Sequence, residues 1–212
     1  MNNYPPTTII GTGGLAMEIY GMLTDMGVFI TGFICEPGLT IDSYMDLPVL
    51  GDDRILADEK YMPVVIANGQ PSVRRKIAEK LEGYLLRYPC FIHPNTTVFK
   101  HGLKFKNGLT VMPGGVIQPN VEIGKFVHIN MGVTIGHDTV IGDYCVINHN
   151  AGISGRVKIG NGVLVGAGAV IKENLTIGEG ATIGMGAIVT KDVPPHQVWV
   201  STAASELKRR TY

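Results

Sequence analysis

The sequence lacks several features that mark large classes of protein. Its 212 residues include only three cysteines, Cys35, Cys90 and Cys145, and their wide spacing suggests no disulfide framework. Eighteen basic residues balance eighteen acidic ones, which argues against a general binder of nucleic acid or of anionic membranes. There is no run of eighteen apolar residues and no charged N-terminal segment followed by an apolar one. We therefore expect a soluble, cytoplasmic protein.

In contrast, large apolar residues recur at every sixth position over a long part of the sequence. From Ile117 to Val189, thirteen successive positions at this spacing carry Ile or Val, and eleven of them are Ile. They are Ile117, Ile123, Ile129, Ile135, Ile141, Ile147, Ile153, Ile159, Val165, Ile171, Ile177, Ile183 and Val189. Neither a helix of 3.6 residues per turn nor an alternating strand produces a strict period of six. This period is typical of a parallel β-helix, in which each repeat forms one short side of a coil.

A second row of mostly small or β-branched residues precedes the first row by two positions. Its members are Val121, Val127, Val133, Thr139, Cys145, Ala151, Val157, Val163, Ala169, Leu175, Ala181 and Ala187. Because residues two apart in a strand share a face, both rows are predicted to point inwards. Cys145 is then expected to be a buried, inert thiol.

Three hexapeptides close a triangular coil, so residues eighteen apart are predicted to stack. One such column is Ile117, Ile135, Ile153, Ile171 and Val189. Glycine often follows the large residue, as at Gly124, Gly136 and Gly160, where a tight corner favours a residue without Cβ. The alternative is a β-sandwich with accidental periodicity, but sandwiches do not hold a six-residue register over seventy residues.

Residues 7–92 show no six-residue repeat. The pattern instead predicts strands at Thr8–Ile10, Phe29–Cys35 and Pro63–Ala67, and helices at Leu15–Met26 and Ser72–Leu81. Ser72 is a candidate cap of the second helix. This alternation of strands and helices predicts a small parallel α/β sheet.

A glycine-rich turn, Gly11-Thr12-Gly13-Gly14, joins the first predicted strand to the first helix. Backbone N–H groups at such a position can bind phosphate oxygens. The turn departs from the full G-x-G-x-x-G pattern because Ala16 occupies the last glycine position, so a purely structural turn stays open. Glu36, just past the second strand, lies where an acidic residue can contact a ribose hydroxyl; a solvated loop carboxylate is the alternative.

The six-residue run resembles the hexapeptide-repeat acyltransferase superfamily over residues 92–200. That resemblance implies a left-handed parallel β-helix and homotrimers with active sites between neighbouring subunits. With Ile10 to Glu18, Ala67-Asn68-Gly69 and Ile92-His93-Pro94, the whole chain is similar to sialic acid O-acetyltransferase-like and nucleotide-aminosugar N-acetyltransferase enzymes of bacterial glycan biosynthesis.

The resemblance implies a division into two domains. Residues 1–90 form a Rossmann-like domain that holds a nucleotide-linked sugar, with the glycine turn, Glu36 and Asn68 as its binding residues. Residues 91–212 form a left-handed β-helix acetyltransferase domain with a C-terminal tail, and this domain binds the co-substrate acetyl-CoA.

Acetyl transfer from a thioester needs a base for the acceptor's proton and a hydrogen-bond donor for the developing oxyanion. His137, in Ile135-Gly136-His137-Asp138, lies at a predicted corner and matches the family's segment for the catalytic base. Asp138 can orient the imidazole and stabilise its protonated form. The N–H of Gly155, one coil later, is predicted about one strand spacing of ~4.8 Å away, where it can hold the thioester carbonyl. A surface imidazole without a role is the alternative.

A second histidine commonly follows the base by nine residues in relatives, but this chain has Val146 at that position. His149 has the same offset from Ile147 that His137 has from Ile135. Either His149 or Asn148 takes over the second role, or the role is absent.

Metal binding is the competing use of the histidines. The γ-class carbonic anhydrases are β-helix enzymes that bind zinc between subunits through three histidines. His128, His137 and His149 are spaced nine and twelve residues apart and do not match that arrangement. We therefore predict no metal site, and we expect His128 to point outwards because it directly precedes an inward Ile.

The late coils supply the acetyl-CoA channel in the family. Gly166 and Ala167, and Gly184 one coil later, offer walls where the pantetheine chain can approach the backbone. Their roles as turn glycines and core alanines explain the spacing equally well. Lys191 lies in Thr190-Lys191-Asp192-Val193-Pro194-Pro195, which matches the family's segment that closes the prism.

The sequence thus predicts a homotrimeric acetyltransferase that moves acetyl from acetyl-CoA to the amino group of a nucleotide-linked sugar. The amine attacks directly, without a covalent enzyme intermediate. O-acetylation of a sialic acid-type sugar is the nearest alternative, because no residue separates an amine acceptor from a hydroxyl acceptor. A non-catalytic nucleotide-sugar-binding scaffold is the third possibility, and the intact Ile-Gly-His-Asp segment argues against it.

Overall fold

The computed structural model describes residues 4–201, and the predicted C-terminal tail lies outside the described residues from residue 202 onwards. The N-terminal elements are β1 (Thr7–Ile10), α1 (Gly14–Asp25), β2 (Ile30–Cys35), β3 (Ser43–Tyr44), β4 (Leu47–Asp52), a 3₁₀ helix (Asp53–Ala57), β5 (Val64–Ile66) and α2 (Pro71–Lys80). No helix within residues 4–201 has the length and apolar character needed to cross a membrane.

The N-terminal sheet has the strand order β3-β4-β2-β1-β5. The pairs β4-β2, β2-β1 and β1-β5 are parallel, and only β3 runs antiparallel to its neighbour. The predicted parallel α/β sheet is therefore confirmed, whereas β3 and β4 were not predicted. The prediction of Ser72 as a helix cap was wrong: Gln70 is the N-cap without a side-chain cap bond, and Pro71 opens the helix. Proline suits that position because the first helical N–H has no partner within the helix.

Eighteen strands of two residues each follow within the described chain. They are β6 (Phe91–Ile92), β7 (Thr97–Val98), β8 (Lys104–Phe105), β9 (Thr110–Val111), β10 (Val116–Ile117), β11 (Glu122–Ile123), β12 (His128–Ile129), β13 (Thr134–Ile135), β14 (Val140–Ile141), β15 (Val146–Ile147), β16 (Gly152–Ile153), β17 (Lys158–Ile159), β18 (Leu164–Val165), β19 (Val170–Ile171), β20 (Thr176–Ile177), β21 (Thr182–Ile183), β22 (Ile188–Val189) and β23 (Val198–Trp199).

These strands form the three walls of a left-handed parallel β-helix. Wall 1 contains β7, β10, β13, β16, β19 and β22; wall 2 contains β8, β11, β14, β17 and β20; wall 3 contains β6, β9, β12, β15, β18, β21 and β23. Every pairing is parallel, and the register of wall 1 joins Ile117 to Ile135 and Ile153 to Ile171. The predicted column is therefore confirmed.

The prism core consists of the two predicted rows. All thirteen Ile and Val positions of the first row are at most 3% exposed. The second row is buried as well, apart from Leu175, which is partly buried against the core. Cys145 is a free cysteine in this row, and burial raises the pKa of its thiol to about 12. It is therefore the inert thiol that the sequence predicted.

The corner glycines avoid a Cβ clash, as expected, but the clash is with the backbone of the next coil. Gly136 has no left-handed backbone conformation; a Cβ there would lie 2.4 Å from the backbone nitrogen of Gly155 in the next coil. The left-handed conformation instead falls three residues after the inward Ile, as at Asn120 (φ 60°), Asp138 (φ 58°) and Asn150 (φ 55°). Asn and Asp adopt this conformation more readily than most residues.

The α/β domain packs on the outer face of wall 3. Thr110, His128 and Val146 point outwards from this wall and are nevertheless buried, whereas Val198 at its far end is 67% exposed. The prediction that His128 points outwards is correct, but the α/β domain covers it.

Arg74 of α2 holds this junction together. Its fully buried guanidinium donates to the carbonyl oxygen of Phe126 in the prism (Nε, 2.7 Å). Its Nη1 donates to Ile66 (2.7 Å) and Asn68 (3.0 Å), at the end of β5. Burial lowers the pKa of Arg74 to about 9, so the group stays charged at neutral pH. These bonds fix the segment that contains Asn68 relative to the prism.

Candidate active site

His137 lies at the corner where the chain leaves wall 1, two residues after β13. Its side chain is 45% exposed, and its Nδ1 is 2.6 Å from Oδ2 of Asp138. Its backbone N–H donates to Oε1 of Gln118 at 3.0 Å. The contact with Asp138 orients the ring, the bond to Gln118 holds that side chain against the corner, and Nε2 remains accessible for a substrate proton.

Asp138 is held in place by its backbone as well as by its partners. Its left-handed conformation is set by the corner, and its Oδ1 accepts a hydrogen bond from Nδ2 of Asn120 at 3.0 Å. The hydrogen bond with His137, followed by the one from Asn120, lowers the pKa of Asp138. The carboxylate is therefore ionised at neutral pH and can stabilise an imidazolium on His137.

Gly155 lies beside the imidazole in the next coil. A Cβ at this position would be 2.7 Å from Nε2 of His137, so only glycine leaves the ring its present place. Within residues 4–201, the N–H of Gly155 donates to no protein acceptor. A groove of about 500 Å³ opens on the outer face of wall 1, with His137, Gly155, Gln118 and Ser154 in its lining. A base and a free N–H donor therefore face the same groove.

Gln118 and Asn120 were not singled out from the sequence. Asn120 lies eighteen residues before Asp138, and the wall register pairs Ile117 with Ile135. The stacking rule therefore carried the signal: polar residues one coil before a candidate site residue are its neighbours.

Three of the residues predicted to bind acetyl-CoA, Gly166, Ala167 and Gly184, lie at another corner. Gly166 and Gly184 follow wall 3, and their N–H groups donate to the carbonyls of Ile183 and Trp199, both at 2.7 Å. A Cβ at Gly166 would lie 2.5 Å from the nitrogen of Met185, so close coil packing already requires this glycine. Ala167 is exposed at the same corner.

Wall 1 separates this corner from His137, and Lys191 is exposed just beyond β22, the last strand of wall 1. A single chain therefore places Gly166, Ala167 and Gly184 at the opposite edge of wall 1 from His137, whereas Lys191 lies at the same corner as His137, three coils later. It does not gather them around one point.

The predicted nucleotide-sugar residues follow β1, β2 and β5, which are neighbours in the sheet. Their carboxyl ends meet at one edge, the usual ligand edge of such sheets. Gly11 has a φ of 123°, and a Cβ there would meet the carbonyl oxygen of Ala67 at 2.7 Å. The tight turn at Gly11 is therefore structurally required, and Thr12 beside it is partly buried.

Gly13 and Gly14 differ from Gly11, because they are exposed and an added Cβ would meet nothing within 4 Å. The hydroxyl of Tyr44 donates to the carbonyl of Gly13 at 3.1 Å and steadies the turn. Gly13 is the N-cap of α1, where glycine is favoured, and close approach to a ligand is a further reason for glycine at both positions.

Glu36 and Asn68 complete this edge in different ways. Glu36 follows β2 and is exposed to solvent, where a ligand can reach it. Asn68 accepts the N–H of Gln70 on its Oδ1 at 2.9 Å, which shapes the loop before α2. The side chain of Asn68 therefore organises the loop.

The remaining histidines do not assemble a metal site. His128 is fully buried with Nδ1 2.7 Å from the Thr110 hydroxyl, and burial holds its pKa well below the usual value, so it is neutral. His149 lies at the corner after wall 3, with Nε2 3.8 Å from Oε1 of Glu18. No group of three His, Cys, Asp or Glu side chains is placed to hold a metal ion in the described part of the chain.

The parallel prism, with its corner His137–Asp138 pair beside the free N–H of Gly155, defines a hexapeptide-type acyltransferase with an added α/β domain. Comparison with protein-family models agrees with this class. Residues 120–155 and 156–191 match the bacterial transferase hexapeptide family (six repeats), and residues 7–81 match the PglD N-terminal domain. The chain therefore combines a hexapeptide-repeat transferase region with a PglD-type N-terminal domain.

Solved structures include several similar proteins. The acetyltransferase domain of PglB from Neisseria gonorrhoeae, in complex with acetyl coenzyme A, is 26% identical with a TM-score of 0.85, covering 95% of this chain and 98% of that one. PerB from Caulobacter crescentus, in complex with CoA and GDP-perosamine, is 25% identical (TM-score 0.85, 93% and 94% covered). WeeI from Acinetobacter baumannii is 29% identical (TM-score 0.79, 91% and 95% covered). Comparison with curated protein sequences gave no match.

Proposed function

We propose that the protein is an acetyl-CoA-dependent N-acetyltransferase that acts on the amino group of a nucleotide-linked amino sugar in bacterial glycan biosynthesis. The observation that carries this proposal is the corner geometry. Nδ1 of His137 is bound to Asp138 at 2.6 Å, while Nε2 faces a groove beside the N–H of Gly155. The similar PglB domain and PerB support it, since their structures contain acetyl coenzyme A, or CoA with GDP-perosamine.

The reaction follows from this geometry. The neutral amine attacks the carbonyl carbon of the acetyl thioester, and Nε2 of His137 takes the proton that the nitrogen loses. The oxygen that gains charge accepts a hydrogen bond from the N–H of Gly155. The intermediate then breaks its C–S bond, and the departing thiolate takes the proton from the imidazolium. Asp138 stabilises His137 while it carries the proton, so the amide and free CoA leave with charges balanced.

The two regions have separate tasks in this proposal. Residues 1–90 hold the nucleotide sugar at the sheet edge formed by the glycine turn, Glu36 and Asn68. Residues 91–212 perform the transfer, with Gly166, Ala167, Gly184 and Lys191 along the coenzyme.

We propose a homotrimer in the cytoplasm, with each site between two subunits. Val170 and Ile188 on the outer face of wall 1 support this, because they are 46% and 75% exposed beside the groove of His137. A neighbouring subunit on this face would cover them and enclose the groove. Light scattering measures the oligomeric state, and a monomer would contradict this arrangement.

The test measures thiol release from acetyl-CoA by the purified protein. The acceptors are UDP-, dTDP- and GDP-linked 4-amino sugars, with sialic acid as the hydroxyl acceptor. His137→Ala is the test variant. His101→Ala is its matched control, because His101 is an exposed histidine at the same corner two coils earlier.

Turnover with an amino sugar that His137→Ala loses and His101→Ala keeps supports the proposal. The expected loss is about 10²- to 10⁴-fold, the usual contribution of a positioned base. Turnover with sialic acid alone would assign the enzyme to O-acetylation, and an undiminished His137→Ala would reject His137 as the base.

A further inference from the structure

Two imidazole–carboxylate pairs join α1 to the prism, and they differ in kind. At the C-terminal end of α1, Asp25 contacts His93; one turn into the helix, Glu18 contacts His149. Both pairs bridge the same helix and the same prism, so a simple docking role predicts similar geometry for them.

The Asp25–His93 pair is closed. Nε2 of His93 is 2.6 Å from Oδ2 of Asp25, and its Nδ1 accepts the N–H of Asn95 at 3.1 Å. The imidazole is 3% exposed, so both ring nitrogens are used and neither is reachable. This pair fastens the helix to the start of the prism.

The Glu18–His149 pair is open. Oε1 of Glu18 and Nε2 of His149 are 3.8 Å apart, beyond hydrogen-bond distance, and the two side chains are 33% and 39% exposed. The other oxygen of Glu18 accepts from Nδ2 of Asn130 at 3.1 Å. Asn130 is only 3% exposed, and its Oδ1 accepts the N–H of Met131 at 2.7 Å, which fixes the amide orientation. A buried amide therefore holds one carboxylate oxygen and leaves the other facing an unbonded imidazole.

The open gap fits one hydroxyl group. An oxygen at about 2.8 Å from both Oε1 of Glu18 and Nε2 of His149 subtends roughly 85° between them, within the range for one donated and one further hydrogen bond. Glu18 lies four residues after Gly14, about 6 Å along the helix from the turn proposed to bind the phosphates. In a nucleotide sugar the sugar is attached to the terminal phosphate, so its ring falls within reach of this gap.

We propose that Glu18 and His149 bind a hydroxyl group of the sugar in the nucleotide-linked substrate, with Asn130 as the positioning residue for Glu18. This inference rests on the nucleotide-sugar part of the proposed function. A hydroxyl is the better partner than the reactive amino group, because an ammonium held by a carboxylate keeps its proton and cannot attack. The pair therefore selects the sugar and orients its amine, and it takes no part in proton transfer.

The test separates sugar recognition from nucleotide recognition by calorimetry. The probes are the UDP-, dTDP- and GDP-linked 4-amino sugars and the corresponding nucleoside diphosphates alone. Wild-type protein should bind one of the sugars at least 10-fold more tightly than its diphosphate. Glu18→Gln and His149→Gln should weaken binding of that sugar by about 10- to 100-fold, as for a lost hydrogen bond to a charged group, and leave diphosphate binding unchanged.

Asp25→Asn is the matched control, since it breaks the closed pair on the same helix. It should lower the melting temperature and keep the preference for the sugar over the diphosphate. Equal losses for sugar and diphosphate in Glu18→Gln, an unchanged sugar affinity, or a wild-type protein without any preference would each overturn the inference.

Kinetics distinguish this inference from the transferase proposal. If the wild-type protein binds the sugar more tightly than the diphosphate but releases no thiol from acetyl-CoA, the inference stands and the transferase proposal is wrong. If instead Glu18→Gln acetylates the amino sugar with an unchanged KM, the transferase stands and the inference fails. The KM for acetyl-CoA should be the same in all variants.

Discussion

The prism and the α/β domain bury their apolar side chains in different ways. The core of the prism contains prism residues alone, from Leu109 to Val193, and the side chains at its edge also come from the prism except for Cys90, at the domain boundary. The two cores of the α/β domain each include prism residues: Phe91 and Met112 in the core of α1, and Phe126 and Tyr144 in the core of α2. The dependence therefore runs one way, because the α/β domain needs the prism to complete its cores and the prism does not need the domain.

The strongest test of this asymmetry is Ile153→Ala, paired with Leu23→Ala. Ile153 stacks between Ile135 and Ile171 in the prism, and Leu23 is fully buried in α1. Each substitution should cost about 2–5 kcal/mol of unfolding free energy, because a buried cavity remains. Ile153→Ala should weaken both regions, whereas Leu23→Ala should weaken the α/β domain alone.

The measurement is urea unfolding followed by the fluorescence of Trp199 and by far-UV circular dichroism. Trp199 is the only tryptophan of the sequence and pairs with Ile183 at the end of wall 3, so its signal reports the prism. If Leu23→Ala lowers the urea midpoint of the Trp199 fluorescence transition as much as Ile153→Ala does, the prism depends on the α/β domain and the proposed asymmetry is wrong.

Two glycines allow a comparison within the prism. Gly136 lets two coils pack closely, whereas Gly155 leaves room for the imidazole of His137 in the groove. A Cβ at Gly136 meets the backbone of the next coil at 2.4 Å, whereas a Cβ at Gly155 meets the imidazole of His137 at 2.7 Å. Gly136→Ala should therefore lower the melting temperature. Gly155→Ala should lower kcat by about 10- to 100-fold through displacement of the base, with the melting temperature little changed.

Thermal unfolding and thiol-release kinetics on both variants check this division. A Gly155→Ala enzyme of full activity would mean that His137 tolerates displacement and is not the base.

The same asymmetry explains how much could be predicted from the sequence. The prism was predictable because each six-residue repeat has its own inward Ile or Val, such as Ile135, whose burial does not depend on distant parts of the chain. The corner that carries His137 follows from the register of these residues. The α/β domain was predictable only in part: β3 and β4 contain polar residues such as Ser43 and Asp52, whose pairing depends on neighbours elsewhere in the chain. Glu18 could not be assigned from sequence, because its contact with His149 exists only once the two regions dock.

His128 tests the junction through pH. It faces outwards from wall 3, so release of the α/β domain would expose it to water. Burial, followed by the charges of Arg74 and His149, lowers the pKa of His128 well below 6.5 in the folded protein. Below about pH 6.5 the unfolded state therefore binds up to one more proton than the native state, and stability falls as the pH is lowered. Above that pH the group contributes no pH dependence.

The expected size is at most about 1.4 kcal/mol per pH unit, or about 2 kcal/mol between pH 6.5 and pH 5. His128→Asn should remove this part of the pH dependence of the unfolding free energy of the α/β domain. Urea unfolding at pH 7 and pH 5 gives the change in unfolding free energy for each protein. The packing lost in the variant is the same at both pH values and therefore cancels in this difference. An identical pH dependence in both proteins would mean that His128 is protonated in the folded chain.

The smallest predicted effect is on α1 and concerns the α/β domain alone. Gly21 lies exposed in the middle of α1, and a Cβ there would meet nothing within 4 Å. Gly21→Ala should stabilise the helix by about 0.5–1 kcal/mol, because alanine loses less backbone entropy on folding. The prism core contains no residue of α1. The substitution should therefore raise the urea midpoint of the circular dichroism transition of the α/β domain and leave the midpoint of the Trp199 fluorescence transition unchanged. A gain that is equal in both signals would show that the two regions unfold as one unit, and the one-way dependence between them would then have to be abandoned.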